Sequence, residues 1–399
     1  MRRSVPLAVC AVVALGAALI AQGGRGGGPS ASIKPGEECP PGMTEVRPQN
    51  CQAPEFPAPS IVDYRPESTL VVPEHLVPKA KFPAIDYHGH PGNLSNAQTL
   101  ASVVEALDTL NVRMLVAADN LTGDRLKASI DTIRNSPQND RIRVLAGISF
   151  RNVAPGFGKQ AAAELEAAIA AGAVGLGEIA KSFGISIMKA DGTRLHIDDP
   201  ELDPIWDTAA RLNIPVFIHT ADPAEFFEPL DFHNERWLEQ ALFPDRRYPQ
   251  DRFPSFETLA TERDSLFRKH PKTRFVMAHF GWHAANLARV AKLLDELPNL
   301  YTEVGAVLYD FGRQPRAAHD FFVKYQDRIL FGKDSFQPIE YPYYWRVFET
   351  TDEYFDYYRN YHAFWKLYGM GLPDDVLKKL YYKNALTITP AMPQSGWPQ

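Results

Sequence analysis

Only three cysteines occur in 399 residues, too few for a disulfide-rich scaffold. Cys10 sits in the N-terminal apolar run, so Cys39 and Cys51 remain as one even pair in a Pro-rich segment. In an exported chain such a pair reads as a single disulfide closing a short loop, worth about 3 kcal/mol in the chain-entropy picture. A zinc site at these two positions lacks further cysteines to complete it. A basic surplus is also missing. Lys and Arg total 42 against 48 Asp and Glu, a formal net charge of -6. This excludes an electrostatic footprint for nucleic acid or acidic lipid and leaves a small molecule as the expected partner, with a homo-oligomer open. No apolar run reaches the roughly 20 residues that a spanning helix needs, so no stable membrane insertion is expected. The longest runs from Val5 to Ala21, follows Arg2 and Arg3, and gives way to the small, Gly-rich stretch Gln22 to Ser30. Residues 1–23 therefore read as a signal peptide and the mature protein as exported, periplasmic or extracellular. No repeat of solenoid period is present.

What is present is ordinary globular material, 45% hydrophobic and 23% charged, long enough for a large core. Residues 24–80 read as a flexible linker and extended arm, with Thr69-Leu70-Val71-Val72 as the one strand-like patch. Beyond Pro83 short apolar runs alternate with helical stripes. The strands are expected at Phe82–His90, Met114–Ala118, Val144–Ser149, Val174–Ala180, Pro215–His219, Phe275–Phe280, Leu300–Val304 and Ile329–Gly332. The first connecting helix is expected to be capped by Ser95, and the fourth opens with Pro204 in its first turn. Eight strand-helix units in succession predict an α/β fold of (β/α)8 TIM-barrel type over residues 81–390, with a tail at 391–399 and long insertions after strands 5 and 8.

In such a barrel, function gathers at the carboxyl ends of the strands. His88 and His90 stand at i and i+2, on one face of the first strand, with Gly89 between them so that the backbone can lie close to its neighbours. Glu178 lies on strand four, His219 ends strand five, His279 is on strand six and Asp334 follows strand eight. Each residue type binds zinc or a similar divalent ion. A lone strand-end histidine is usually structural, but six such residues at six suitable places share no such explanation.

The runs Ile85-Asp86-Tyr87-His88-Gly89-His90, Ile214 to Thr220, Phe275 to Gly281 and Ile329 to Ser335 resemble the amidohydrolase superfamily, and most closely its amidohydrolase-related family. The likeness covers about Lys81 to Thr389. It implies metal-dependent hydrolysis or, in some branches, decarboxylation or hydration of small acids. It also implies that a single ion would be held by the positions of His88, His90, His219 and Asp334, with His279 acting on the substrate. Leu176-Gly177-Glu178-Ile179 is similar to the strand-four Glu that bridges two ions in TatD-like deoxyribonucleases and some lactonases, while other branches use a carboxylated lysine, for which Lys181 stands close. Strand alternation sends Glu178 and Lys181 to opposite faces, and the expectation is that Glu178 points inward. His88, His90 and Asp334 would then hold one ion, His219 and His279 a second, and Glu178 would join them. Water activated there would attack an ester, lactone, amide or phosphoester, with Asp334 taking and returning the proton.

The segments after His219 and Asp334 carry many aromatics, and Tyr354, Tyr357, Tyr358, Tyr361 and Trp365 follow helical spacing. Trp282 is the expected substrate wall, and His283 a neighbouring contact. Decarboxylation of an aromatic or unsaturated acid is the competing chemistry. It needs cations for a carboxylate, and Arg151, Arg236 and Lys333 are the candidates.

Overall fold

The computed structural model describes residues 28–57, 59–179, 181–362 and 365–398, so the expected signal peptide lies outside the described residues. The chain divides into two units, one ending at Ser68 and one beginning at Thr69.

In the first unit β1 (Ser30–Ser32), β2 (Thr44–Arg47) and β3 (Asn50–Gln52) form a small antiparallel sheet in the order β1-β3-β2. Cys51 of the central strand is buried and joined to Cys39, with Cα atoms 5.7 Å apart. The expected disulfide is therefore present. So little apolar surface is available here that the crosslink holds what a core would otherwise hold.

The second unit is the barrel. Its strands are β4 (Ala84–His90), β5 (Val112–Leu121), β6 (Ile142–Ala146), β7 (Leu176–Ile179), β8 (Pro215–Ile218), β9 (Arg274–Met277), β10 (Leu300–Glu303), β11 (Ile329–Leu330) and β12 (Asp334–Ser335). Each pairs in parallel with the next from β4 to β11. The last two belong to one extended segment. Its start pairs with β10 and its end pairs with β4, Asp334 opposite Gly89, which closes the ring. The strands are nearly all apolar because both of their faces are covered: Ile85, Leu115, Val144, Leu176, Phe217, Phe275 and Leu330 are all buried, and Phe275 packs on the helix residues Trp206 and Phe267.

The helices follow the expected stripes, with two differences. The helix Ala97–Thr109 is capped by Asn96, whose side chain accepts from Thr99 N at 3.0 Å, while Ser95 donates to Asn93 instead. The aromatic stretch that carries helical spacing is not a helix. Among the described residues of the stretch between strand eight and Pro373, α-helix is confined to Tyr341–Glu349; residues 350–362 and 365–372 carry no helix, and Phe355 and Leu367 exchange backbone hydrogen bonds of 2.8 and 3.0 Å. The aromatic rings there pack against other rings rather than along one helix, and burial overrides the local period. Thr69–Val72 is likewise irregular, with Val71 fully exposed. The C-terminal tail is packed on the barrel, Trp397 stacking on Tyr382 at 5.2 Å. Among the described residues no helix is long and apolar enough to cross a membrane.

Candidate functional site

Strand ends bring His88, His90, Glu178, His219, His279 and Asp334 together. Their geometry is set by non-glycine residues in the left-handed region at the C-terminal ends of four strands: Ala221 (φ 62°), His279 (φ 55°), Ala306 (φ 59°) and Asp334 (φ 76°). Such conformations persist only where surrounding structure holds them, and they concentrate at functional sites.

Each imidazole is fixed through one ring nitrogen and turns the other toward the centre of the cluster. His88 Nδ1 lies 3.0 Å from Glu303, His90 Nδ1 3.2 Å from Asp119, His279 Nδ1 2.8 Å from the Gly305 carbonyl, and His219 Nε2 2.8 Å from the Ala221 carbonyl. The opposite nitrogens converge on Glu178. Its Oε1 is 3.3 Å from His88 Nε2, 2.7 Å from His219 Nδ1 and 3.6 Å from His279 Nε2, and its Oε2 is 3.3 Å from His90 Nε2. Asp334 Oδ1 lies 3.6 Å from His90 Nε2 and 3.9 Å from His88 Nε2. A partner that anchors one nitrogen and presents the other is how metal-binding histidines are oriented. Two donor groups result, His88 with His90 and Asp334, and Glu178 with His219 and His279.

Electrostatics make the same point. Burial alone would push these imidazoles toward neutrality, yet Glu178 and Glu303 raise His88 well above its ordinary value, and Asp119 and Glu178 lift His90 to about 9. His279 is raised by Glu178 against the same burial. Burial would likewise raise Glu178 and Asp334, but the adjacent imidazolium charges bring both below the usual carboxylate range. The pocket thus holds buried carboxylates that require cations, and either protons on the imidazoles or divalent ions can supply them. The donor set fits divalent ions.

Metal binding at pH 7 to 8 is therefore expected to displace protons, more than about one per ion, with affinity rising until His90 loses its proton near pH 9. Calorimetry in buffers of different ionisation enthalpy measures this, and proton-neutral binding would contradict it. For metal-free protein the sign is opposite. A histidine pKa raised from 6.5 to about 9 stabilises the fold fully below 6.5, and that contribution fades as pH rises to 9.

Lys181 does not enter the site. Its ammonium pairs with Asp222 at 2.8 Å and is half exposed. Trp282 stacks on His279 with centroids 4.4 Å apart and donates to the Ala221 carbonyl at 3.1 Å, the same acceptor that fixes His219. It also lines a cavity of about 390 Å³ with His283, Glu225, Phe256 and Tyr309. His283 is buried with Nε2 unpartnered, and burial together with Arg263 and Arg289 lowers its pKa to about 2, so it is neutral near pH 7.

The candidate cations for a substrate carboxylate are placed otherwise than expected. Arg151 is exposed in the turn after β6, and no contact joins it to the ligand cluster. Arg236 is buried, donating to Glu239 and Tyr309 at 2.6 Å each, which leaves it a structural role in the insertion after β8. Lys333 is wholly buried and bonded to Glu340. Strand position alone cannot reveal that a cation is already paired.

Three further residues support the site. Glu303 is fully buried and accepts from His88 Nδ1 (3.0 Å), His279 N (2.7 Å) and Gly305 N (2.5 Å), tying the two donor groups together. A Cβ at Gly332 would lie 2.5 Å from Glu303 and 2.7 Å from the His88 Cβ, so only glycine fits there. Asp86 accepts from His88 N and Lys333 N at 3.0 Å each and from Tyr341 OH at 2.6 Å, joining β4 to the closing segment. The signal for Glu303 was a lone carboxylate at the end of strand seven, after Leu300-Tyr301-Thr302.

A family model described as Amidohydrolase matches residues 85–388. No curated relative matches. Among solved structures, the chain is similar to an uncharacterized TIM-barrel protein from Bordetella bronchiseptica (15% identity, 77% of this chain and 99% of that one, TM-score 0.48). It is also similar to 2,6-dihydroxybenzoate decarboxylase from Rhizobium (16% identity, 78% and 99% coverage, TM-score 0.46). A third similar structure is a dihydroxybenzoic acid decarboxylase from Polaromonas with bound manganese and 2-nitroresorcinol (16% identity, 77% and 97% coverage, TM-score 0.49).

Proposed function

The chain belongs to the amidohydrolase family, and from that premise we propose that it is a metal-dependent hydrolase of a small-molecule ester, lactone, amide or phosphoester. The observation that carries this reading is the placement of Glu178, with both carboxylate oxygens inside the ring of four imidazoles. In this reading His88, His90 and Asp334 hold one ion, His219 and His279 hold a second, and Glu178 joins them. Divalent ions bound there would supply Lewis acidity toward the substrate oxygen and toward water. The donors are imidazole and carboxylate with no thiolate, a set suited to zinc among other divalent ions.

The chain's own residues then divide the work. Asp334 is kept ionised and has a 27% exposed side chain, so it can accept a proton from attacking water and return it to the leaving group. Glu303 holds the His88 ring and the His279 backbone, while the Gly305 carbonyl holds the His279 ring. Trp282 lies over His279 and supplies an apolar wall beside the cavity, which limits access of bulk water to the reacting bond. Export to the periplasm or beyond belongs to the same reading and is supported by the Cys39–Cys51 disulfide and by the apolar run after Arg2-Arg3.

A second reading, a one-metal decarboxylase of an aromatic or unsaturated acid, is favoured by one distance. Glu178 Oε1 is hydrogen-bonded directly to His219 Nδ1 at 2.7 Å, as an orienting carboxylate would be. Product analysis separates the two. Metal-loaded protein is given panels of esters, lactones, amides and phosphoesters beside aromatic and unsaturated acids, with released acid and carbon dioxide both measured. Hydrolysis without carbon dioxide is expected; carbon dioxide release with every hydrolytic panel silent would replace the hydrolase by the decarboxylase.

A further inference from the structure

Most buried or half-buried arginines of the insertions and adjacent helices have a carboxylate. Arg236 pairs with Glu239, Arg263 with Asp264, Arg313 with Asp310 and Arg346 with Asp352. Arg359 is the exception. It is half-buried in the loop after strand eight, and its guanidinium makes no hydrogen bond or ion pair with any described residue. What surrounds it is aromatic. Its Cζ lies 5.5 Å from the Tyr358 ring, and the Tyr357 and Tyr358 rings are 4.3 Å apart. Both hydroxyls are buried, and neither makes a well-directed hydrogen bond. The nearby carboxylate, Glu340, is bonded to Lys333.

The wall therefore offers a guanidinium and two phenol hydroxyls and, among the described residues, no carboxylate bonded to them. A guanidinium offers five N–H groups and each phenol one O–H, and leaving such groups unmatched in a poorly hydrated place is unfavourable. An acceptor-only group, planar and negatively charged, would satisfy them together, since a carboxylate meets the guanidinium fork with two parallel bonds. The position suits a substrate. Lys333 Nζ, next in sequence to Asp334, is 5.6 Å from the Tyr358 ring, and Tyr309, which lines the cavity beside Trp282, is 6.1 Å from Tyr357.

We infer that Arg359, with the hydroxyls of Tyr357 and Tyr358, forms a subsite for a carboxylate borne by the substrate. The inference rests on the reading that the strand-end mouth is the active site, and it holds whether that carboxylate is a remote anchor in hydrolysis or the group lost in decarboxylation. It also replaces the expected cations with one the sequence did not single out.

Benzoate and its uncharged counterpart benzamide are the probes, titrated into the full chain with metal bound and after chelation. Benzoate is expected to bind about tenfold tighter than benzamide in both states, and R359Q should abolish that preference without changing metal content. R359K keeps the charge and loses the fork, so it should recover part of the preference, and Y358F should weaken benzoate by a few-fold. Equal binding of the two probes by wild-type protein would overturn the subsite. So would a benzoate preference that R359Q leaves intact and chelation removes, because the metal centre would then be reading the carboxylate. If wild-type protein binds no metal yet keeps an Arg359-dependent preference, the subsite stands and the metal-dependent reading fails.

Discussion

His88→Ala is expected to lower turnover at least about 10³-fold and also to destabilise the fold by about 3 kcal/mol. The first effect follows from removing a donor whose Nε2 faces Glu178, His90 and Asp334. The second follows from burial. His88 and Glu303 are both wholly inaccessible and 3.0 Å apart, so the substitution strands a buried carboxylate, relieved in part by the backbone donors of His279 and Gly305. Asp334→Ala separates the two effects. Its side chain is 27% exposed at the mouth and supports no buried partner of this kind, so activity should fall as far while the unfolding midpoint stays near wild type. Steady-state kinetics and denaturant unfolding on the two variants check this. Equal stability in both would show that the His88–Glu303 pair is not a structural element, and retained turnover in either would remove that residue from the reaction. A reading from strand position alone expects both variants to stay equally folded. The pairing behind His88 is what distinguishes them.

Much of this was legible in the chain. The eight apolar runs are short, β-rich and bounded by turns, so the barrel follows from their alternation with helical stripes. Once the barrel is granted, the strand ends determine which residues converge. His88, His90, Glu178, His219, His279 and Asp334 meet because parallel strands of a closed ring deliver their C-terminal side chains to one mouth. Glu178 turns into the ring of imidazoles, and Lys181, in the turn beyond β7, pairs with Asp222 instead.

What was not legible depended on pairing. Glu303 looks like one acidic residue at a strand end until His88 and the His279 backbone are seen to share it. Arg236 and Lys333 looked available for a substrate and are held by Glu239 and Glu340, whereas Arg359 has no such partner among the described residues. Tyr354 to Trp365 repeat at helical intervals, but the segment is held by the Phe355–Leu367 backbone pairing and by Asp352, which accepts from His75 N at 2.8 Å and Arg346 Nε at 2.9 Å. Long-range partners of that kind leave no periodic signal.

The number of ions bound is the most direct test of the central claim, because the hydrolase reading requires Glu178 to join two of them. A glutamine in its place keeps the shape and one acceptor oxygen but removes the negative charge that lets cations lie about 3.5 to 4 Å apart. The group served by His219 and His279 would be weakened most, since Glu178 is its only carboxylate, while His88, His90 and Asp334 keep their own. Protein purified without chelator and titrated with zinc is analysed for metal by mass spectrometry, wild type beside Glu178→Gln. The account predicts two ions per chain in wild type and one in the variant, with hydrolytic turnover lost. One ion per chain in both, with turnover unchanged, would contradict it.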